Sequence, residues 1–294
     1  MPELPEVETV VRGLNRLIVK KKITAVRHDW PKSFPNSPSS VDVFMIGSET
    51  KQVRRRAKVI IIDLTSDYSL VVHLKMTGQM VYRGEENWGA GHPSEDFLAD
   101  LPNRSTRVEI DFADKSRLFF NDQRKFGWMK LLPTVEVENL PFFQKVGPEP
   151  LEDSFTETEF EGRFVRKRRS VIKAALLDQT VIAGVGNIYA DEALWRAKIH
   201  PETRVAALNR EDFTNLYEAV RFVMTLSIQK GGSTARNYVH ADGSKGNYLD
   251  YAAVFRKEGT LCPRCGTEII KIRVAGRGTH LCPHCQKIKE PIHE

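Results

Sequence analysis

The chain has 294 residues, a formal net charge of +6 and a pI of about 9.1. Its hydrophobic fraction of 41% and charged fraction of 28% are typical of a globular protein with a core of useful size. Neither a run of apolar residues long enough to span a membrane nor a secretion signal is visible, so we expect a cytoplasmic protein with room for two domains.

The first predicted element is a helix over residues 5–19. Apolar residues recur at helical spacing from Val7 to Ile18. Pro5 suits the first turn of a helix, and Glu6 suits its positive dipole end. By composition alone this is an ordinary helix start.

Residues 23–135 are predicted to be mostly β. β-branched segments separated by turn residues predict three strands within residues 58–84 and three more within 106–132, with one hairpin turn at Ala113 and Asp114. Residues 84–105 are rich in Gly, Pro and acidic side chains and predict a long surface loop. The first half is therefore predicted to be a helix with a β-sandwich or barrel.

A proline-rich segment, residues 137–156, predicts a domain boundary. Helical patterns follow at roughly 156–164, 170–178, 188–196 and 209–229. We accordingly predict an N-terminal domain at 1–135, a linker at 136–155, a helical domain at 156–250 and a cysteine-containing module at 251–289.

The positive charge is concentrated in three runs, at residues 20–22, 54–58 and 166–169. A single basic run is usually a solvated surface. Three runs on a basic background favour a polyanionic partner, most simply nucleic acid.

All four cysteines lie in the last 33 residues, as Cys262-x2-Cys265 and Cys282-x2-Cys285. This spacing predicts two knuckles that hold one zinc ion. Four protein ligands leave no position for water, so the zinc is expected to be structural. The neighbouring His280 and His284 are predicted to be surface residues.

Three further motifs each allow two interpretations. In "GVGNIYADEAL", Asn187 is either a plain helix N-cap or part of a turn that binds a phosphate. In "NDQRKFGW", Arg124 and Phe126 are either solvated residues of a hairpin tip or a wedge that enters a base stack. The segment "GGSTARNYVHADGSKGNY" is either a linker or a lid over a pocket.

Pro2 gives the start of the chain a chemical interpretation as well. Initiator methionine is readily removed before small residues, which would expose a secondary amine. An α-amino group has a pKa near 7.7–8.0 against about 10.4 for lysine, so it is a much better nucleophile at neutral pH. Glu3 could transfer protons, and the charge of Lys58 could depress the pKa of the amine further.

Together these motifs resemble the formamidopyrimidine-DNA glycosylase family over nearly the whole chain. The segments that carry the resemblance are "PELPEVETVVRGL", "RRAKVIII", "HLKMTGQ", "NDQRKFG", "GPEPL", "GVGNIYADEALWRAKIHP", "GGSTARNYVHADG" and "CPRCG…GRGTHLCPHCQ".

The resemblance implies an α+β fold: an N-terminal catalytic β-sandwich domain flanked by helices, a helix–two-turn–helix DNA-binding domain with a lid loop, and a zinc finger. It implies a base-excision repair enzyme of the bacterial nucleoid that excises oxidised purines from double-stranded DNA, forms a Schiff base and cuts by β,δ-elimination. Nothing in the sequence suggests more than a monomer, so a monomer is expected. One structural zinc ion and no organic cofactor are expected.

The resemblance also implies roles for individual residues. The catalytic set is Pro2, Glu3, Lys58 and Arg277. The DNA-binding set is His73, Met76, Arg124, Phe126, Lys167, Arg169 and Asn187, of which Met76, Arg124 and Phe126 would fill the void left by the flipped base. The zinc ligands are Cys262, Cys265, Cys282 and Cys285.

The chain departs from the family pattern before the strand that contains Val108. Many members have a histidine there, whereas Arg104 and Arg107 flank this position here and are candidates to replace its DNA contact.

Two alternative functions stay open. Endonuclease VIII-type enzymes prefer oxidised pyrimidines, although Leu4 is unlike their opening, and a zinc-ribbon protein that binds nucleic acid would need no catalysis.

Overall fold

The computed structural model describes residues 1–92, 94, 97–233 and 247–290. The chain divides into two compact units, one comprising Met1–Gln144 and Lys230–Asn247 and the other Lys145–Gln229 and Tyr248–Glu294. Most of the predicted lid, residues 234–246, lies outside the described residues. Within the described ranges, no helix combines the length and apolar character needed to cross a membrane.

The first unit contains a long helix, a shorter one and a series of antiparallel strands. They are α1 (Leu4–Ile18), β1 (Ile23–His28), α2 (Pro38–Phe44), β2 (Thr50–Arg56), β3 (Val59–Leu64), β4 (Tyr68–His73), β5 (Gly78–Arg83), β6 (Asn87–Gly91), β7 (Thr106–Phe112), β8 (Arg117–Asp122) and β9 (Trp128–Pro133). A short helix, α3 (Pro141–Lys145), follows within the predicted linker.

These strands form the predicted β-sandwich. One sheet has the order β1-β7-β8-β5-β6 and the other the order β2-β3-β4-β9. A single hydrophobic cluster combines α1 residues such as Leu14 with Ile60 and Val72 of one sheet and Met80 and Phe120 of the other. The apolar stripe of α1 is thus buried with both sheets, as its spacing predicts.

The segment predicted to be a surface loop, residues 84–105, contains strand β6. Its sequence, NWGAG, has one strong strand former, Trp88, and pairs with β5. Trp88 is buried beside Gly13 of α1, where an added Cβ would lie 2.1 Å from Trp88 Cζ2. Strand β6 therefore depends on partners that are distant in the sequence.

The second unit is mostly helical and ends in a two-stranded hairpin. Its elements are α4 (Glu157–Phe164), α5 (Ile172–Leu177), α6 (Asn187–Arg196), α7 (Arg210–Gln229), α8 (Tyr248–Tyr251), β10 (Ile270–Val274) and β11 (Arg277–Leu281). The four predicted helices are confirmed to within two residues. Aromatic rings from α4 and α7, including Phe160 and Phe213, pack together in this unit.

Candidate active site

The first residues of the chain are ordered by the start of α1. Glu3 is the N-cap residue, and its backbone N–H donates to Glu6 Oε2 at 2.8 Å in a capping box. Pro2 is buried, and Glu3 is only 4% exposed. With Met1 in place, the Pro2 nitrogen is part of a peptide bond. The segment is therefore rigid, as the helix start predicts.

Glu6 also joins α1 to the segment that precedes the predicted lid. Its second oxygen, Oε1, accepts a hydrogen bond from the Ser233 N–H at 2.7 Å. Gly232 has a φ of 84°, and a Cβ there would lie 3.2 Å from Glu6 Oε1. Both oxygens of one buried carboxylate thus hold backbone at the start of α1 and at residue 233.

Lys58 lies in the two-residue turn between β2 and β3, next to α1. Arg55 makes this connection: its Nε donates to Glu8 Oε2 at 3.1 Å and its Nη1 to the Ala57 carbonyl at 2.9 Å. Ala57 has a φ of 52°, a left-handed conformation that costs energy for a residue with a Cβ. The Lys58 side chain is 5% exposed, so it is held in the interior.

His73 lies at the end of β4, paired in register with Val59, the residue after Lys58. Burial, followed by the charges of Lys75 and Lys58, lowers the pKa of His73 to about 3. Its Nδ1 accepts from the Lys75 N–H at 3.1 Å, which assigns the ring hydrogen to Nε2. At neutral pH His73 therefore offers an uncharged donor and no positive charge.

His92 is a titratable residue near the N-terminus that the sequence motifs did not single out. Burial, and then the charge of the chain's amino group, lowers its pKa. Its backbone carbonyl accepts a hydrogen bond from the buried Gln79 side chain. The sequence offers only a weak signal for it, namely a histidine within the segment 84–105 that was predicted to be a loop.

The three predicted wedge residues lie on two adjacent loops. Met76 is in the turn after β4 and is 38% exposed, and Phe126 is in the segment after β8 and is 57% exposed. The Arg124 guanidinium carbon lies 5.0 Å from the centroid of the Phe126 ring. Because β8 and β9 belong to different sheets, this segment is not a hairpin tip. The structure brings Arg124 and Phe126 together, with Met76 on the neighbouring loop.

Asn187 is the first residue of α6, and the N-cap position belongs to Gly186, so the N-cap interpretation is wrong. Asn187 Nδ2 donates instead to the Gly278 carbonyl at 3.0 Å. Its Oδ1 is buried and has no hydrogen-bond partner among the described residues. The amide therefore connects the start of α6 to the hairpin that carries Arg277.

Lys167 and Arg169 lie before α5 in the third basic run. Lys167 Nζ is 2.7 Å from Asp178 Oδ2, so its charge is shared with a carboxylate at the end of α5. Arg169 is exposed. Of these two predicted DNA contacts, Arg169 is the more accessible cation.

The four cysteines meet at one point, as their spacing predicts. Their Sγ atoms all lie within 4.8 Å of one another, with Cys265 and Cys282 3.5 Å apart and Cys262 and Cys285 4.0 Å apart. Zinc–sulfur bonds of about 2.3 Å in a tetrahedron require sulfur separations of about 3.8 Å. Without a metal the four thiols share protons: hydrogen bonds from Thr267 lower the pKa of Cys265 to about 5, whereas burial and the neighbouring cysteines raise the pKa of Cys285 to about 12. The cluster fits a structural metal ion.

The hairpin is held against the helices of its unit by a buried ion pair. Lys173 Nζ lies 2.6 Å from Asp191 Oδ1 and also donates to Thr279 Oγ1 at 2.6 Å. Asp191 Oδ2 accepts from the His280 N–H at 2.9 Å. His280 is 4% exposed, so the prediction that it is a surface residue is wrong, whereas His284 is exposed as predicted. Arg277 is exposed at the start of β11.

Arg107 is not available to replace the missing histidine. It is 2% exposed, its Nη1 lies 2.6 Å from Asp29 Oδ2, and its Nε donates to the Ser105 carbonyl. Arg104, which is exposed, keeps that prediction open.

The chain matches three family models in order. Residues 1–129 match the formamidopyrimidine-DNA glycosylase N-terminal domain, residues 146–239 the formamidopyrimidine-DNA glycosylase H2TH domain, and residues 259–288 the zinc finger found in FPG and IleRS. The chain belongs to the formamidopyrimidine-DNA glycosylase family. It is therefore a DNA glycosylase of a DNA-repair family, with a DNA-binding H2TH domain and a zinc finger.

The following relatives match this glycosylase over nearly its whole length. The formamidopyrimidine-DNA glycosylase of Pelotomaculum thermopropionicum is 41% identical over 98% of the chain and 100% of the relative. The wild-type Lactococcus lactis Fpg (MutM), solved with DNA containing N7-benzyl-Fapy-dG, is 36% identical with a TM-score of 0.85, covering 97% of this chain and 100% of that one. The same species' Fpg bound to abasic-site DNA gives 36% identity, a TM-score of 0.85 and coverage of 97% and 99%.

Three buried charged residues of this glycosylase, Asp122, Asp191 and Lys173, are not evident from its sequence motifs. Each lies inside a motif or helical segment that was interpreted from other residues. Burial of a single polar side chain gives no periodic signal of its own.

Proposed function

We propose that this glycosylase removes oxidised purines, such as 8-oxoguanine and formamidopyrimidines, from double-stranded DNA and then cuts the strand at the abasic site. Family membership, with relatives solved on Fapy-dG and abasic DNA, supports the substrate class. The observation that carries the mechanism is the buried, hydrogen-bonded start of the chain, which orders Pro2 and Glu3, together with the Arg55–Glu8 ion pair that joins α1 to the strand before Lys58.

The reaction begins once Met1 has been removed. The Pro2 amine attacks C1′ of the flipped nucleotide, the C1′–N9 bond breaks, and the base leaves with the bonding electrons and a proton. The sugar opens to a Schiff base that is a charged iminium, because a secondary amine has no second hydrogen to lose. Glu3 transfers protons in this step. The iminium acidifies C2′, so β-elimination expels the 3′ phosphate and δ-elimination the 5′ phosphate.

The remaining residues bind the strand and hold it open. Lys58, His73, Asn187, Lys167 and Arg169 contact phosphates, and Arg277 assists the δ-elimination. Met76, Arg124 and Phe126 occupy the gap left by the flipped base, with Arg124 facing the unpaired partner. Flipping costs a few kcal/mol, less for a damaged base, and wedge contacts offset the lost stacking.

Borohydride trapping tests the Schiff base. Protein whose free Pro2 has been verified by mass spectrometry should form a covalent adduct with 8-oxoguanine DNA, and Pro2→Gly should give a weaker adduct or none. Pro5→Gly, which alters the same helix start without touching the amine, is the control. The absence of an adduct from verified free Pro2 would refute the mechanism.

The substrate class is tested by comparing excision of 8-oxoguanine opposite cytosine with excision of thymine glycol. We expect faster release of 8-oxoguanine. A preference for thymine glycol would favour the endonuclease VIII-type activity instead, and DNA binding without release of either base would favour the non-catalytic alternative.

We also propose that the metal is one structural zinc ion per chain. Zinc binding of this kind contributes about 10 kcal/mol or more to the folding of a small module. Removing the metal should abolish hydrogen-exchange protection across residues 259–288 while the β-sandwich keeps its own, and should weaken DNA binding. Unchanged affinity after verified metal loss would contradict this proposal.

A further inference from the structure

One buried carboxylate connects the two loops that carry the proposed wedge residues. Asp122 is the last residue of β8 and is fully buried. Its Oδ1 accepts from Thr77 Oγ1 and from the Arg124 N–H at 3.2 Å, and its Oδ2 accepts from the Gly127 N–H at 2.6 Å. Residues 74–77 and 123–127 are called the wedge loops below.

The partners of Asp122 are dipoles rather than cations. No lysine or arginine pairs with it among the described ion pairs, so its charge is stabilised by two backbone N–H groups and one hydroxyl. Hydrogen bonds to a carboxylate are roughly twice as strong as those between neutral groups. Thr77 Oγ1 also accepts from the Arg124 N–H at 3.3 Å, which closes a three-way contact between the two loops.

The wedge loops adopt conformations that the chain would not favour without such support. Lys75 has a φ of 50° and Lys125 a φ of 59°, both left-handed. At Gly127 an added Cβ would lie 2.8 Å from Phe120 Cζ and 3.0 Å from Asp122 Oδ2. The second wedge loop therefore comes so close to Asp122 at residue 127 that only glycine fits there without a shift.

The loops present apolar side chains to solvent. Met76 is 38% exposed and Phe126 57% exposed, although both side chains are large and apolar. A wedge made of two loops enters a base stack efficiently only if its side chains are already held together, because ordering them during insertion would reduce the gain.

We propose that Asp122 is a positioning residue that holds the two wedge loops in one arrangement, so that Met76, Arg124 and Phe126 enter the DNA as a unit. This inference rests on the proposed function for its consequence in catalysis. Its structural part, the coupling of the two loops, is independent of any reaction.

The catalytic test uses Asp122→Asn, which keeps the shape but places an amide N–H against a donor. Single-turnover excision of 8-oxoguanine should fall about tenfold or more, as expected when charge-assisted hydrogen bonds are lost. Strand cleavage at a preformed abasic site should change much less, because no stacked base has to be displaced. A 2-aminopurine probe opposite the lesion should report slower wedge insertion.

Asp63→Asn is the matched control. Asp63 is also a buried carboxylate on a strand, and it accepts hydrogen bonds from Ser69 Oγ at 2.6 Å and from Arg54 Nε at 2.8 Å. It pairs with Ser69 near the start of β4, whereas the first wedge loop follows His73 at the end of β4. It should lower stability without changing the ratio of lesion excision to abasic cleavage. Equal changes of that ratio in both variants would overturn the proposal.

Limited trypsin digestion tests the coupling without any reaction. Cleavage after Arg124 and Lys125 should be faster in Asp122→Asn than in wild type or Asp63→Asn. Thr77→Val, which removes only the hydroxyl, should show a smaller increase and serves if Asp122→Asn does not fold. If the loop variants are cleaved faster by trypsin but the wild-type protein excises no base, the coupling is supported and the proposed function is refuted. If trypsin cleaves both loop variants at the wild-type rate, the coupling is refuted.

Discussion

Single buried polar side chains position several of the segments that carry the predicted site residues. Glu6, Asp122 and Asp191 each use both carboxylate oxygens to hold segments that are far apart in the sequence. Burial of an unsatisfied polar group is costly, so a carboxylate that accepts several hydrogen bonds specifies one local arrangement. His73 adds a pH-dependent contribution because it is buried uncharged.

His73 should make the free energy of unfolding decrease as the pH is lowered below about 6.5. Its pKa is about 3 in the folded chain against 6.5 ordinarily, so the unfolded chain binds more protons between these values. Its contribution is therefore complete above pH 6.5 and declines as pH falls, by up to about 1.4 kcal/mol per pH unit. Between pH 6.5 and 5.0 this amounts to about 1.6 kcal/mol, because the ring in the unfolded chain is already half protonated at pH 6.5.

Urea unfolding of wild type and His73→Gln at these two pH values measures the contribution. The variant should lose about 1.6 kcal/mol less than wild type on acidification, since it lacks the titrating ring. Equal losses in the two proteins would mean that the pKa of His73 is similar in the folded and unfolded chains.

At the scale of elements, two helices each contain a glycine, and tertiary packing constrains only one of the two glycines. Gly13 lies in the middle of α1 against Trp88 of strand β6, whereas Gly162 lies in α4 with no atom within 4 Å of an added Cβ. Helix propensity alone would favour alanine at both positions. Only packing distinguishes them.

Substituting alanine at each glycine should give opposite results. Gly13→Ala should destabilise the protein by about 1–3 kcal/mol, because the new methyl group would overlap the Trp88 ring. Gly162→Ala should stabilise it by about 0.5–1 kcal/mol through helix propensity. Thermal or urea unfolding measures both, and a stabilising Gly13→Ala would show that β6 moves away at little cost.

At the scale of the whole molecule, charge and family membership indicate an electrostatic contribution to DNA binding. The net charge is +6, and the exposed cations include Arg169 and Arg124. Each phosphate that a protein neutralises releases condensed counterions, so affinity falls with salt. Our expectation that the glycosylase acts as a monomer remains a prediction.

The salt dependence of DNA binding should identify phosphate contacts. The logarithm of the affinity should fall linearly with the logarithm of salt concentration, with a slope of about −0.9 per neutralised phosphate. Arg169→Ala should reduce that slope by about one. Lys115→Ala is the control, since Lys115 is an exposed cation in the β7–β8 turn, at the opposite end of β8 from Asp122. Equal slopes for wild type and Arg169→Ala would remove Arg169 from the interface.

The sequence by itself determined the features that short spacings encode. Helical periodicity placed α1 and the four main helices of the second unit, β-branched runs placed the central strands, and the cysteine spacing placed the metal site. The same motifs were enough to indicate the glycosylase family. In each case the structural period or the ligand spacing lies within a few residues, so that local chemistry suffices.

Only the tertiary structure decided what depends on partners distant along the chain. Strand β6 forms because β5 and Trp88's contact with Gly13 support it. Arg107 and His280 are buried because Asp29 and Asp191 lie opposite them. The segment 123–127 crosses between two sheets, where Asp122 meets Thr77. Such contacts depend on long-range packing and electrostatics, which override local propensity and leave no periodic trace in the sequence.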